Sequence, residues 1–141
     1  MSYSTEITVR FAHVDAAGIV FYPRYLEMVN ETVERWFEEA LGTSFAELHV
    51  TRRHGTPTKR ISVDFLKPSR LGDVLTFTLT VLKVGRAAFD IEIDCACAGE
   101  ARFKADATLV YTSLEPLASV PMPEDLRRRM MAFTAAESKT A

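Results

Sequence analysis

From Arg24 to Leu41 the chain carries one long amphipathic segment, and this segment constrains the fold more than any other. Its apolar residues are Leu26, Val29, Val33, Trp36, Phe37, Ala40 and Leu41, with Glu27, Glu31, Glu34, Arg35 and Glu38 on the opposite side. That spacing predicts a helix with a single apolar stripe, which is stable only when another layer covers the stripe. Gly42 supplies a C-terminal stop, and Pro23 suits the first helical position.

The covering layer is written in a different period. Ile7, Val9 and Phe11 alternate with Thr8 and Arg10, the pattern of a half-buried strand. Four further strand-like stretches follow the helix, at about residues 57–66, 73–84, 86–97 and 101–113. Turn chemistry separates them at Pro68-Ser69-Arg70-Leu71-Gly72-Asp73, at Gly85 and at Ala98-Gly99-Glu100. Short connections favour an antiparallel meander. A shorter helical turn is expected over 44–50, a terminal helix over 124–136, and frayed chain over 138–141. Pro116, Pro121 and Pro123 end the sheet region. The order of strand, long helix and four strands predicts an α+β domain spanning 1–141, one antiparallel sheet packed on one helix, with the tail from about 124 peripheral.

Charge and cysteine content narrow the function. With 17 basic and 19 acidic residues interspersed and a net charge of −2, nothing favours nucleic acid or an anionic membrane as partner. No leader and no membrane-spanning apolar run is evident, so a cytoplasmic protein is expected. Cys95 and Cys97 alternate along one strand and read as small apolar fillers. No Gly-x-Ser-x-Gly elbow, dinucleotide loop or P-loop occurs, and His13, His49 and His54 are too scattered for a zinc site. Chemistry without a cofactor, or binding alone, is what remains.

The stretch Phe11-Ala12-His13-Val14-Asp15-Ala16-Ala17-Gly18-Ile19-Val20-Phe21-Tyr22-Pro23-Arg24-Tyr25 places a carboxylate between a strand and the start of the long helix. The first N–H groups of a helix have no intrahelical acceptor, so they can hold the oxyanion formed when a carbonyl is attacked. A nearby carboxylate can activate water or attack the carbonyl itself. Taken alone, an Asp ahead of a helix is most often a cap or turn residue. His13, at the end of the first strand, has a structural reading.

That segment resembles the motif of the 4-hydroxybenzoyl-CoA thioesterase family: Asp-x-x-Gly-Ile/Val-Val-x-Tyr, then Pro or His, then a Tyr two residues beyond the Pro or His. Asp15, Gly18, Ile19, Val20, Tyr22, Pro23 and Tyr25 fill it here. The likeness extends through Gly55-Thr56-Pro57 and the Gly72-Asp73 turn and fades in the tail. The resemblance implies a hotdog fold, a five-stranded sheet wrapped around the helix. It also implies a homodimer joined at sheet edges, often doubled to a homotetramer, with active sites at subunit interfaces. By position, Asp15 is the catalytic carboxylate and the Tyr22 backbone N–H polarises the thioester carbonyl. Gly18, Asn30, Thr56 and Arg86 become substrate-binding positions. The implied substrate is an acyl-CoA, with no cofactor and no metal.

Two positions depart from the hydroxybenzoyl-specific pattern. Asn30 stands where that enzyme has an Asp meeting the ring hydroxyl, and an amide is a weaker acceptor than a carboxylate. Only Arg86, in Gly85-Arg86-Ala87-Ala88, remains of three basic residues that meet the nucleotide phosphates. Other aryl-CoA thioesters and short or medium acyl-CoA thioesters therefore stay open. So do an acyl-carrier-protein thioesterase and a non-catalytic acyl-CoA-binding module. A hotdog hydratase pairs its Asp with a His five positions on, where this chain has Val20. Trp36 and Phe37 read as core, and Arg127-Arg128-Arg129 as a solvated helical face.

Overall fold

The computed structural model describes residues 1–134. In chain order its main elements are β1 (Tyr3–Thr8), α1 (Tyr22–Glu39), β2 (His54–Gly55), β3 (Thr58–Phe65), β4 (Val74–Val84), β5 (Ala88–Cys97), β6 (Glu100–Val110), β7 (Thr112–Leu114), β8 (Leu117–Ser119) and α2 (Glu124–Met131). Five strands form one antiparallel sheet in the order β1-β4-β5-β6-β3, and β2, β7 and β8 make a smaller sheet. No described helix is long and apolar enough to cross a membrane.

The period-two pattern decides which side of the sheet meets α1. Leu75, Phe77, Leu79 and Val81 of β4, Phe89, Ile91, Ile93 and Cys95 of β5, and Phe103, Ala105, Ala107 and Leu109 of β6 are all buried. The intervening Thr76, Thr78, Thr80, Glu92, Asp94 and Lys104 lie on the more open side. Helix α1 lays Tyr25, Met28, Val29, Val33, Trp36 and Phe37 into the same core. Trp36 and Phe37 are wholly buried, and each such side chain contributes about 1.5–3 kcal/mol of apolar burial. Gly42 adopts a φ of +79°, the left-handed geometry of a helix stop, and a Cβ there would collide with the Arg129 guanidinium.

Several expectations need correction. The long helix begins at Tyr22, so Pro23 is its second residue. The first strand ends at Thr8; Phe11 lies in a 3-10 turn, 81% exposed, because the chain must reverse there into the loop before α1. The strand expected over 57–66 is β3, and a two-residue strand that was not expected, β2, precedes it across Thr56-Pro57. The one expected over 101–113 divides into β6 and β7, where the chain leaves the main sheet for the small one. Residues 117–119 pair with β7 despite the flanking prolines, and the turn expected over 44–50 is a helical turn at Glu47–Thr51.

The arginine run is solvated at Arg128, while Arg127 and Arg129 also bond to backbone elsewhere in the chain. Arg127 donates to the Val84 and Gly85 carbonyls, and Arg129 Nη1 donates to the Leu41 carbonyl at 2.8 Å. Both satisfy backbone oxygens left open where strand β4 and helix α1 end. Leu126, Met130 and Phe133 of the same segment enter the core. The chain expected to fray over 138–141, and the last residues of the helix expected over 124–136, lie outside the described residues.

Candidate active site

The segment between β1 and α1 is a short closed loop. Val14 and Val20 face each other as an antiparallel bridge, and the Asp15 N–H donates to the Ile19 carbonyl at 3.1 Å. The Gly18 N–H returns to the Asp15 carbonyl at 2.9 Å, and the Ala17 N–H donates to Asp15 Oδ1 at 2.8 Å. This is an Asx turn, which holds one carboxylate oxygen and leaves the other without a partner among the described residues. Gly18 has φ of +80° with open space around it, so a side chain there would be strained by the backbone rather than by crowding. Asp15 itself is exposed.

The start of α1 can be accounted for donor by donor. A helix opens with four N–H groups that lack an intrahelical acceptor. The Phe21 N–H donates to the His13 carbonyl at 2.9 Å, and the Arg24 N–H to the Phe21 carbonyl at 2.8 Å. Pro23 has no N–H. Only the Tyr22 N–H is left without an acceptor among the described residues, at the positive end of an 18-residue helix. His13 has a structural role: its carbonyl takes the Phe21 N–H and its Nδ1 accepts the Arg10 N–H at 2.8 Å.

Beside this loop lies an open pocket of about 230 Å³ lined by Ile19, Val20, Tyr22, Tyr25, Phe65, Leu66, Lys67 and Pro68. Its walls are aromatic: the rings of Tyr22 and Phe65 are 6.1 Å apart, and those of Tyr25 and Phe65 are 5.8 Å apart. Tyr22, Phe65 and Leu66 are each at least half exposed. The Tyr25 hydroxyl is buried beside Ser69, and its burial raises its pKa. Burial also pushes the Cys95 thiol up to about 12, which leaves no thiolate nucleophile there at neutral pH.

Asp15, Gly18 and Tyr22 thus come together on one loop. The other expected positions do not join them within one chain. Asn30 is exposed on α1, eight residues past Tyr22, or about 12 Å along the helix axis. Thr56 is buried and lines a second pocket of about 260 Å³ with Val33, His49 and Leu109. Arg86 is exposed in the β4–β5 turn beside Pro121, Met122 and Arg127. Phe65, Leu66 and Ser69 were not read from the sequence as part of the site. The apolar pair Phe65-Leu66, which breaks the alternation at the end of β3, is the one signal that pointed to them.

The helix wrapped by this sheet, with a carboxylate loop at the helix start, is the architecture of a hotdog-fold thioester hydrolase. Residues 9–130 match the thioesterase-like superfamily, and the chain belongs to it. It is 29% identical over 126 residues to a 1,4-dihydroxy-2-naphthoyl-CoA hydrolase of Nostoc punctiforme, covering 89% of this chain and 84% of the relative. Its fold is similar to that of a gentisyl-coenzyme A thioesterase, with a TM-score of 0.81, 25% identity, and coverage of 89% of this chain and 99% of the other. It is also similar in fold to the 4-hydroxybenzoyl-CoA thioesterase of a Pseudomonas species, with a TM-score of 0.83, 22% identity, and coverage of 91% and 98%.

Proposed function

We propose that the chain hydrolyses an aryl-CoA thioester, of the class with a hydroxylated ring, to the free acid and coenzyme A. The observation that carries this reading is the single unsatisfied Tyr22 N–H at the start of α1, on the same closed loop as the exposed Asp15 carboxylate. The thioester carbonyl docks on the Tyr22 N–H, which strengthens its bond to the oxygen as negative charge develops there. Asp15, through its free oxygen, either takes a proton from the attacking water or adds to the carbonyl to form a mixed anhydride that water then opens. In both routes the thiolate of coenzyme A leaves and is protonated. The aromatic walls of the neighbouring pocket favour a flat acyl group. The activities of the Nostoc relative and the gentisyl enzyme support the same class.

Two copies of the chain complete the site in this reading. Strand β3 is an outer strand of the main sheet, exposed along nearly its whole length, with Ile61 at 40% and Phe65 at 50%. An open apolar strand edge is a template for pairing with a second strand. Pairing along β3 would bring the Thr56 region of one copy, next to β3, towards the Phe65 end and its pocket in the other. Arg86, exposed in the β4–β5 turn, is the residue that the family resemblance assigns to a phosphate of coenzyme A. Replacing Arg86 by alanine is expected to raise KM several-fold at low salt, with the difference fading as salt rises and kcat unchanged. A KM that does not change across salt concentrations removes Arg86 from nucleotide binding.

A panel of thioesters tests the substrate class. Values of kcat/KM for 1,4-dihydroxy-2-naphthoyl-, gentisyl-, benzoyl- and straight-chain acyl-CoA are expected to favour the hydroxylated aryl members by tenfold or more, about 1.4 kcal/mol of transition-state binding. Equal or better hydrolysis of the straight-chain members contradicts it.

A further inference from the structure

Ser69, wholly buried in the β3–β4 connection, accepts the Val20 N–H on its carbonyl at 2.9 Å, and Ile19 pairs with Arg70 as an antiparallel bridge. The loop that carries Asp15 and leads into Tyr22 is therefore mounted on residues 66–73 and takes its position from them. That second loop has no helix or strand of its own to fix it. Backbone hydrogen bonds anchor its two ends to Val9 and Arg102, and one side chain on β6 ties its middle together.

Arg102 Nη1 donates to the Pro68 carbonyl at 3.2 Å, to Ser69 Oγ at 3.1 Å and to Asp73 Oδ2 at 2.8 Å. Its Nε donates to Glu100 at 2.9 Å, and its own carbonyl accepts the Leu66 and Lys67 N–H groups. The side chain is only 12% exposed. The Asp73 carboxylate closes the far end of the loop by accepting the Arg70 N–H at 2.9 Å. A planar guanidinium can serve several fixed acceptors at once, which a lysine ammonium cannot do with the same geometry.

We infer that Arg102 is a positioning residue for catalysis, acting through Ser69 and Val20 to hold Asp15 and the Tyr22 N–H in register with the thioester. The inference rests on the reading of Asp15 and Tyr22 given above. The Arg70 N–H and the Arg102 guanidinium both hold the Asp73 carboxyl below the usual carboxylate range. The clasp is therefore complete above that range, and its contribution to stability is lost as acid carries the pH down through the lowered value.

The experiment is thiol release from the best aryl-CoA substrate by the parent, Arg102→Lys, Ser69→Ala and Asp15→Asn proteins, each with a thermal melt. Misplacement of reacting groups by about 1 Å can cost on the order of 100-fold in rate. Arg102→Lys, folded, is expected to lose about tenfold or more in kcat with KM within about twofold of the parent, as the loss of an interaction that serves only the transition state requires. Ser69→Ala keeps the carbonyl to Val20 and loses only the hydroxyl, so a smaller fall in kcat, again without a change in KM, is expected. A folded Arg102→Lys protein with parental kcat, or with a raised KM alone, overturns the inference. If Arg102→Lys does not fold, an unchanged kcat in Ser69→Ala overturns it. Asp15→Asn reports separately on the reading beneath it: parental turnover in that variant removes Asp15 from the mechanism, whatever Arg102 does.

Discussion

Tyr22→Pro lowers kcat about 100- to 1000-fold while the protein still folds, the loss seen when one oxyanion donor is removed. Proline is favoured at the first position of a helix, because the N–H it lacks has no intrahelical acceptor there. Phe21, the residue before it, is already extended at φ −69° and ψ 123°, the conformation a following proline demands. The substitution therefore removes one donor and leaves the helix start intact. It also removes a ring that is 60% exposed and stands against Phe65. Tyr22→Ala, which keeps the N–H and lacks the ring, corrects for that part, and Tyr22→Phe corrects for the hydroxyl. Both are expected to lose only a few-fold in kcat, as single apolar or rim contacts do, with most of any change in KM. Turnover by Tyr22→Pro equal to that of Tyr22→Ala contradicts the role of the backbone donor. Complete loss in a folded Tyr22→Phe protein shows that the hydroxyl takes part.

Why the loop of Asp15 and Tyr22 could be proposed as a site from the sequence while Arg102 could not is a matter of distance along the chain. Asp15, Gly18 and Tyr22 lie within one continuous stretch, and the chemistry of a turn and a helix start is local. Arg102 meets Ser69 from 33 residues away, and the sequence pattern of β6 marks it only as one more outward polar position. The fold divides in the same way. The long helix was plain because Leu26, Val29, Val33, Trp36 and Phe37 recur at its period, and β4, β5 and β6 were plain because short turns join them. That β1 would pair with β4 and β3 with β6 left no local mark, since both pairings bring together segments far apart in sequence. The small sheet was missed because β7 and β8 are three residues each, too short to show an alternation. Arg127 and Arg129 looked like surface charges because the carbonyls they satisfy belong to the ends of β4 and α1.

Asp15→Asn is the second large effect. Asparagine retains an oxygen for the Ala17 N–H, so the Asx turn survives, and an exposed substitution of this kind moves stability by about 0.5 kcal/mol or less. What is lost is the anionic oxygen able to take a proton or attack a carbonyl. General-base catalysis contributes about 100- to 10,000-fold, and a covalent route depends on the carboxylate even more directly. A single turnover in isotope-labelled water tests the covalent route: label found in Asp15 rather than in the product marks an anhydride that water opens at the Asp15 carboxyl.

The measurement that bears most directly on the site is thiol release from 1,4-dihydroxy-2-naphthoyl-CoA and gentisyl-CoA by the parent and by folded Asp15→Asn protein, side by side. Hydrolysis by the parent, with a fall of about 100-fold or more in the variant and an unchanged melt, is the expected result. Equal hydrolysis by both proteins contradicts it and takes the carboxylate loop out of the mechanism.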